Sequence, residues 1–136
     1  MSFSYEELLD RACSKLPQTI EKHERLEIPR VRSSIIGMRT VFYNFREITE
    51  MLNRNPAHLM KFLTREMATA ATLKETHVIF QGKFSTETLE RLIGRYVERY
   101  VICPVCKRPD TRIVKEKRLS FLICEACGAK SSIRVM

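Results

Sequence analysis

Apolar side chains recur at Tyr5, Leu8, Leu9, Ala12, Cys13 and Leu16, at intervals of one, three and four residues. That spacing gathers them on one stripe of an α-helix. Ser4 stands at the N-cap, Glu7 completes a capping box, and Phe3 and Leu8 occupy the staple positions. Pro17 ends the helix, since it lacks an N–H and clashes with the preceding turn. From Gln18 to Ile36 the periodicity gives way to polar and mixed-charge residues around Pro29, the pattern of a mobile linker. A helix of about twelve residues is marginal alone in water. Its stripe therefore needs cover, either on this chain's own core or in a groove of another protein. The linker favours the partner.

Between residues 37 and 100 the periods alternate. Thr40 to Phe45 is β-branched and aromatic enough for a strand, and Ile48, Met51 and Leu52 suggest a short helix after it. Asn55-Pro56 is a cap followed by proline at the first helical position, and Leu59, Phe62, Leu63 and Met67 mark the buried face of that helix. Thr72-Leu73 and His77 to Gln81 form a strand pair around the Lys74-Glu75-Thr76 turn. Ser85 or Thr86 caps a last helix that turns Leu89, Leu92, Ile93, Tyr96, Val97 and Tyr100 inward. The expectation is an α+β protein in four parts: a helix over 1–17, a linker over 18–36, a small central α/β domain with an antiparallel sheet over 37–100, and a distinct segment over 101–136.

That last segment holds Cys103-Pro-Val-Cys106 and Cys124-Glu-Ala-Cys127, with 17 residues between the pairs. Two residues between cysteines let both sulfurs point at one ion from a tight turn, and two such turns complete a tetrahedron. Gly128 permits the close turn after the second pair. Four buried or redox cysteines are the alternative. A segment of 36 residues rarely folds without a staple, which favours metal. Thr111–Val114, Leu119–Ile123 and Ser131–Val135 supply three strands, giving a zinc ribbon with one structural ion. Four thiolates leave no open position for water or substrate.

The formal net charge is +8, and its distribution matters. Residues 1–36 carry six basic and six acidic side chains, residues 37–100 ten and seven, and residues 101–136 eight and three. Lys107, Arg108, Arg112, Lys115, Lys117, Arg118, Lys130 and Arg134 make the ribbon basic. They are either a solvated surface or contacts to a phosphate backbone. Phe121 reads as ribbon core rather than a base-stacking platform, and Cys13 as a packing residue.

No apolar run is long enough to span a bilayer, and the acidic start is unlike a signal peptide. This places the chain in the cytoplasm, where thiols stay reduced and no membrane partner is expected. No Gly-rich phosphate loop with lysine and no nucleophile motif is present. His23, His58 and His77 fall in the linker, a helix and a strand, with His58 on a helix surface. These features suggest a binding protein, not an enzyme, with no catalytic residue.

Taken together, the capped helix, Asn44-Phe45, Asn53-Arg54-Asn55-Pro56-Ala57-His58-Leu59 and Cys-Pro-x-Cys with Cys-x-x-Cys-Gly resemble the beta subunit of archaeal translation initiation factor 2 over essentially the whole chain. The central and zinc parts are also similar to the N-terminal part of eukaryotic initiation factor 5. The resemblance implies a heterotrimer with an alpha subunit and a GTP-binding gamma subunit that brings initiator methionyl-tRNA to the small ribosomal subunit. It also implies that Tyr5, Leu8, Leu9, Ala12 and Cys13 dock on the gamma subunit. Two other readings compete: a GTPase-activating protein that presents an arginine, and a DNA-binding zinc ribbon.

Overall fold

The computed structural model describes residues 3–16 and 26–135. Ser4 starts helix α1 (Tyr5–Lys15): its Oγ accepts from the Glu7 N–H at 3.3 Å, and the Glu7 carboxylate accepts from the Ser4 N–H at 3.0 Å. The capping box expected from sequence is therefore formed. The helix ends at Lys15, with Leu16 already extended. Pro17 and the 18–25 part of the expected linker, His23 included, lie outside the described residues. No residue of α1 is buried; Tyr5 is 78% and Leu8 49% exposed.

The rest of the expected linker is not linker. Leu26 packs partly on the core and Val31 is buried in it. Residues 33–36 form strand β1 (Ser33–Ile36), which pairs antiparallel with β2 (Arg39–Phe42). An edge strand bonds on one side only and tolerates polar residues, so Ser33-Ser34 hid it. Gly37, with φ 61°, takes the first turn position of this hairpin, where positive φ suits the strand twist. Asn44 fixes the incoming chain: its Oδ1 accepts from the Arg32 N–H and its Nδ2 donates to the Arg30 carbonyl, both at 2.8 Å. The strand expected over Thr40–Phe45 accordingly stops at Phe42, and Phe45 opens helix α2 (Phe45–Met51).

Asn55 caps α3 (Pro56–Glu66), its Oδ1 accepting from the Ala57 N–H at 2.9 Å with Pro56 in the first turn. Strands β3 (Ala71–Leu73) and β4 (Val78–Gln81) follow, and Ser85 caps α4 (Thr86–Tyr100). The four strands lie in the order β1-β2-β4-β3, all antiparallel. Phe42, Val78 and Phe80 from the sheet meet Phe45, Ile48, Leu59, Leu63, Leu89 and Ile93 from the helices in one core. Each such side chain contributes about 1.5–3 kcal/mol by leaving water. The inward positions expected on α4 are all buried.

A second sheet, β5 (Thr111–Glu116), β6 (Leu119–Cys124) and β7 (Lys130–Ile133), is antiparallel in that order. Strand alternation divides it. Ile113, Leu122 and Ile133 share one face; Leu122 is buried, and Ile113 and Ile133 pack on the central core. Arg112, Val114, Phe121, Ile123 and Lys130 share the other. The fold is thus α+β with a terminal ribbon, as expected.

Candidate metal centre and its seam with the central domain

Cys103 follows α4, Cys124 ends β6, and Cys106 and Cys127 close the two knuckles. The four Sγ atoms lie within 4.8 Å of one another, with Cys103–Cys127 at 3.6 Å and Cys106–Cys124 at 3.5 Å. A zinc tetrahedron with bonds of about 2.3 Å has sulfur–sulfur edges of roughly 3.8 Å. The knuckles are built alike. The Lys107 N–H donates to the Cys103 carbonyl and the Gly128 N–H to the Cys124 carbonyl, both at 3.0 Å. Both turn residues have positive φ, 59° at Lys107 and 75° at Gly128. Sequence reasoning saw only the glycine. At Lys107 the conformation costs about 1–2 kcal/mol, which the knuckle's own bonds must offset. The Val105 N–H donates to Cys103 Sγ and the Cys127 N–H to Cys124 Sγ, each at 3.4 Å.

The sulfurs compete for charge. Burial raises the Cys103 thiol, but backbone and sulfur hydrogen bonds outweigh it and leave its pKa lowered. Burial, with neighbouring cysteine sulfurs, raises that of Cys106. Four thiolates this close repel, and a cation among them removes the conflict. The donor set fits a thiophilic divalent ion such as zinc, with its shell closed.

Sequence reasoning missed the residue that joins this module to the central domain. Arg54 is 9% exposed. Its Nε and Nη2 donate to the Tyr100 carbonyl at 3.1 and 2.9 Å, its Nη1 to the Thr111 carbonyl at 2.8 Å, and its Nη2 to Thr111 Oγ1 at 2.6 Å. Thr111 Oγ1 in turn donates to the Val101 carbonyl. One guanidinium thus ties the end of α4 to the first residue of β5. Burial lowers its pKa, but a guanidinium starts so high that it keeps its proton. The available signal was local: Arg54 stands between Asn53, at φ 51°, and the cap Asn55, so its backbone is held before its side chain reaches out.

His58 is not a free helix-surface residue, as the sequence suggested. It is half-buried, with Nδ1 at 2.7 Å from the Tyr96 hydroxyl and ring centroids 5.6 and 5.2 Å from Tyr96 and Tyr100. Its neighbour Leu59 faces the core, but the aromatic residues of α4 also close over the flank of α3. Burial first, then Arg54 and Lys61, hold its pKa below the ordinary imidazole value. Burial holds the Tyr96 hydroxyl protonated to well above its usual pKa.

The eight basic ribbon residues do not form one cluster. Lys107 and Arg108 sit at the first knuckle, Lys117 and Arg118 in the β5–β6 turn, and Arg134 beyond β7. Lys115 shares the register face of Ile113 and is exposed. Arg112 and Lys130 meet on the other face, paired with Glu125 at 3.7 Å and Glu116 at 2.9 Å. Such exposed pairs contribute about 0–1 kcal/mol. Phe121, expected in the ribbon core, lies on that same outward face with Lys130 Nζ 4.3 Å from its ring centroid. On α1, Tyr5, Leu8, Leu9, Ala12 and Cys13 are all exposed. Among the described residues, no helix is long and apolar enough to cross a membrane.

Known proteins share this layout. The family model for a domain found in initiation factors 2B and 5 matches residues 17–130. Translation initiation factor 2 subunit beta of Methanopyrus kandleri is 40% identical over 134 residues, covering 98% of this chain and 97% of that one. The protein of the same name from Methanosarcina mazei is 44% identical over 132 residues, covering 97% of this chain but 65% of its own length. That of Methanococcus maripaludis is 40% identical over 134 residues, covering 98% and 97%.

Proposed function

The chain belongs to the family of translation initiation factor 2 beta subunits, and from that premise we propose that it is the adaptor subunit of a GTP-dependent carrier of initiator methionyl-tRNA. In this reading α1 docks on the GTP-binding gamma subunit. An alpha subunit completes the heterotrimer, and the complex works at the small ribosomal subunit in the cytoplasm. Residues 1–17 are the docking part, the central part includes β1, and residues 101–136 are the ribbon. Cys103, Cys106, Cys124 and Cys127 hold one structural zinc ion. When bound, it supplies folding free energy rather than chemistry, and the basic ribbon turns toward nucleic acid.

The single observation that carries the docking claim is a capped helix whose whole apolar stripe is exposed. Covering Tyr5, Leu8, Leu9 and Leu16 would contribute about 1.5–3 kcal/mol each. An arginine-presenting activator is less well supported: Arg54, the most firmly positioned arginine, is spent on the seam. Titration calorimetry of Leu8→Asp with Leu9→Asp against the purified gamma subunit tests the docking. We expect affinity to fall at least a hundredfold, since each aspartate forfeits about 1.5–3 kcal/mol of burial. Wild-type affinity would remove the basis of the adaptor reading.

A further inference from the structure

The ribbon's inward face is used up: Ile113, Leu122 and Ile133 pack against the central domain or in the ribbon, and Cys124 belongs to the metal cluster. Its outward face is a different surface. Arg112, Val114 and Glu116 on β5, Leu119, Phe121 and Ile123 on β6, and Lys130 and Ser132 on β7 share it, and none of them is buried. An aromatic ring therefore stands at the centre of an open three-stranded sheet, on the middle strand. Its cross-strand neighbours are both short, Val114 on one side and Ser132 on the other.

Core packing does not account for a phenylalanine there, because its side of the sheet has no covering element among the described residues. The ring face is already in use as a cation site: Lys130 Nζ lies 4.3 Å from its centroid. That ammonium is held by an exposed ion pair with Glu116, worth about 0–1 kcal/mol, so it is free to swing aside and meet a phosphate. Cations flank the ring in every direction. Arg112 lies on the same face, Lys107 and Arg108 at the knuckle end, and Lys117 and Arg118 at the turn end.

We propose that this outward face binds single-stranded RNA, an unpaired base stacking on Phe121 while Arg112 and Lys130 contact the flanking phosphates. The charge excess of eight basic over three acidic residues in 101–136 matches a polyanion. An exposed ring on a sheet matches the planar face of a base. A duplex keeps its base faces stacked internally and would meet only the cations. The choice of RNA over other single strands rests on the initiation-factor reading.

Fluorescence anisotropy with the full zinc-loaded chain tests the proposal, using a short unstructured pyrimidine RNA and an RNA hairpin of equal phosphate count. Phe121→Leu should weaken binding to the single strand roughly tenfold, with about 5- to 150-fold spanning the usual range for one stacked base. Phe121→Tyr should restore it to within about twofold, because the ring returns. Hairpin affinity should not respond to Phe121→Leu. Arg112→Gln should instead weaken both probes and reduce the salt slope by about one. Cobalt substitution checks the fold: if Phe121→Leu disturbs the thiolate charge-transfer band, the β-branched Phe121→Ile is read in its place. Unchanged single-strand affinity in the leucine or isoleucine variant, or equal loss on both RNAs, would overturn the stacking site. Failure here leaves α1 docking untouched, because calorimetry of the Leu8, Leu9 double variant reads a separate surface.

Discussion

Arg54 Nη1 lies 2.8 Å from the Thr111 carbonyl oxygen, across the join between the central domain and the ribbon. The two residues are 57 positions apart. Between them the chain makes α3, two strands, α4 and the first metal knuckle, so this contact exists only once both modules are in place. It makes the ribbon's orientation a property of the central domain.

Replacing Arg54 with lysine should uncouple the two. An ammonium reaches one carbonyl, not two, and leaves buried acceptors on Tyr100 and Thr111 without a donor. Global stability in urea should fall by about 2–4 kcal/mol, on the scale of one or two buried acceptors left unsatisfied. Cobalt spectra of the cysteine site should be unchanged. A loss below about 0.5 kcal/mol would mean the clamp carries little of the join.

Chelation should unfold the ribbon and leave the central domain folded but less stable. Ile113 and Ile133 would leave its surface, and Arg54 would lose Thr111. Hydrogen exchange is the measurement. Amides of β5–β7 should exchange freely after metal removal, while those of β2 and β4 keep part of their protection. Full protection of β5–β7 without metal would show that the ribbon folds unaided.

His58 sets a pH dependence. Its folded pKa is below the unfolded value of about 6.5. Below that value the unfolded chain binds more protons, so stability is intact above about pH 6.5 and falls as pH drops through the lower folded value. Urea midpoints between about pH 7.5 and 5.5, with metal saturating, should decline more steeply for wild type than for His58→Gln. Parallel slopes would remove His58 as the source.

The capping box should show up in binding. Ser4→Ala removes the acceptor for the Glu7 N–H and should cost about 1 kcal/mol of helix stability, hence roughly fivefold in affinity for a partner that must order α1. Circular dichroism and calorimetry should move together. A full loss of helicity with unchanged affinity would contradict docking as a helix.

Some of this protein was legible in its sequence because the physics is local. Ser4 and Glu7 are three residues apart, Asn55 and Pro56 are adjacent, and each cysteine pair spans one turn. Hydrogen-bond reach and metal geometry constrain such neighbours whatever the rest of the chain does, so the cap, the helix starts and the four-sulfur cluster could be placed. The 3.6-residue period likewise marked the buried face of α4, since a helix in a single core shows one side to it. The alternation of β5 and β6 was also readable, but not which face would be covered.

The rest required the fold. β1 is polar because it is an edge, and only its pairing with β2 identifies it as a strand. His58 acquires its partner from Tyr96, 38 residues on, and Arg54 its partner from Thr111. A strand's alternation says that two faces differ. Packing on the central domain decides that Ile113 and Leu122 face inward and Phe121 outward. Local sequence determines which elements form and which atoms are available; long-range packing decides which of those atoms meet and which remain open to a partner.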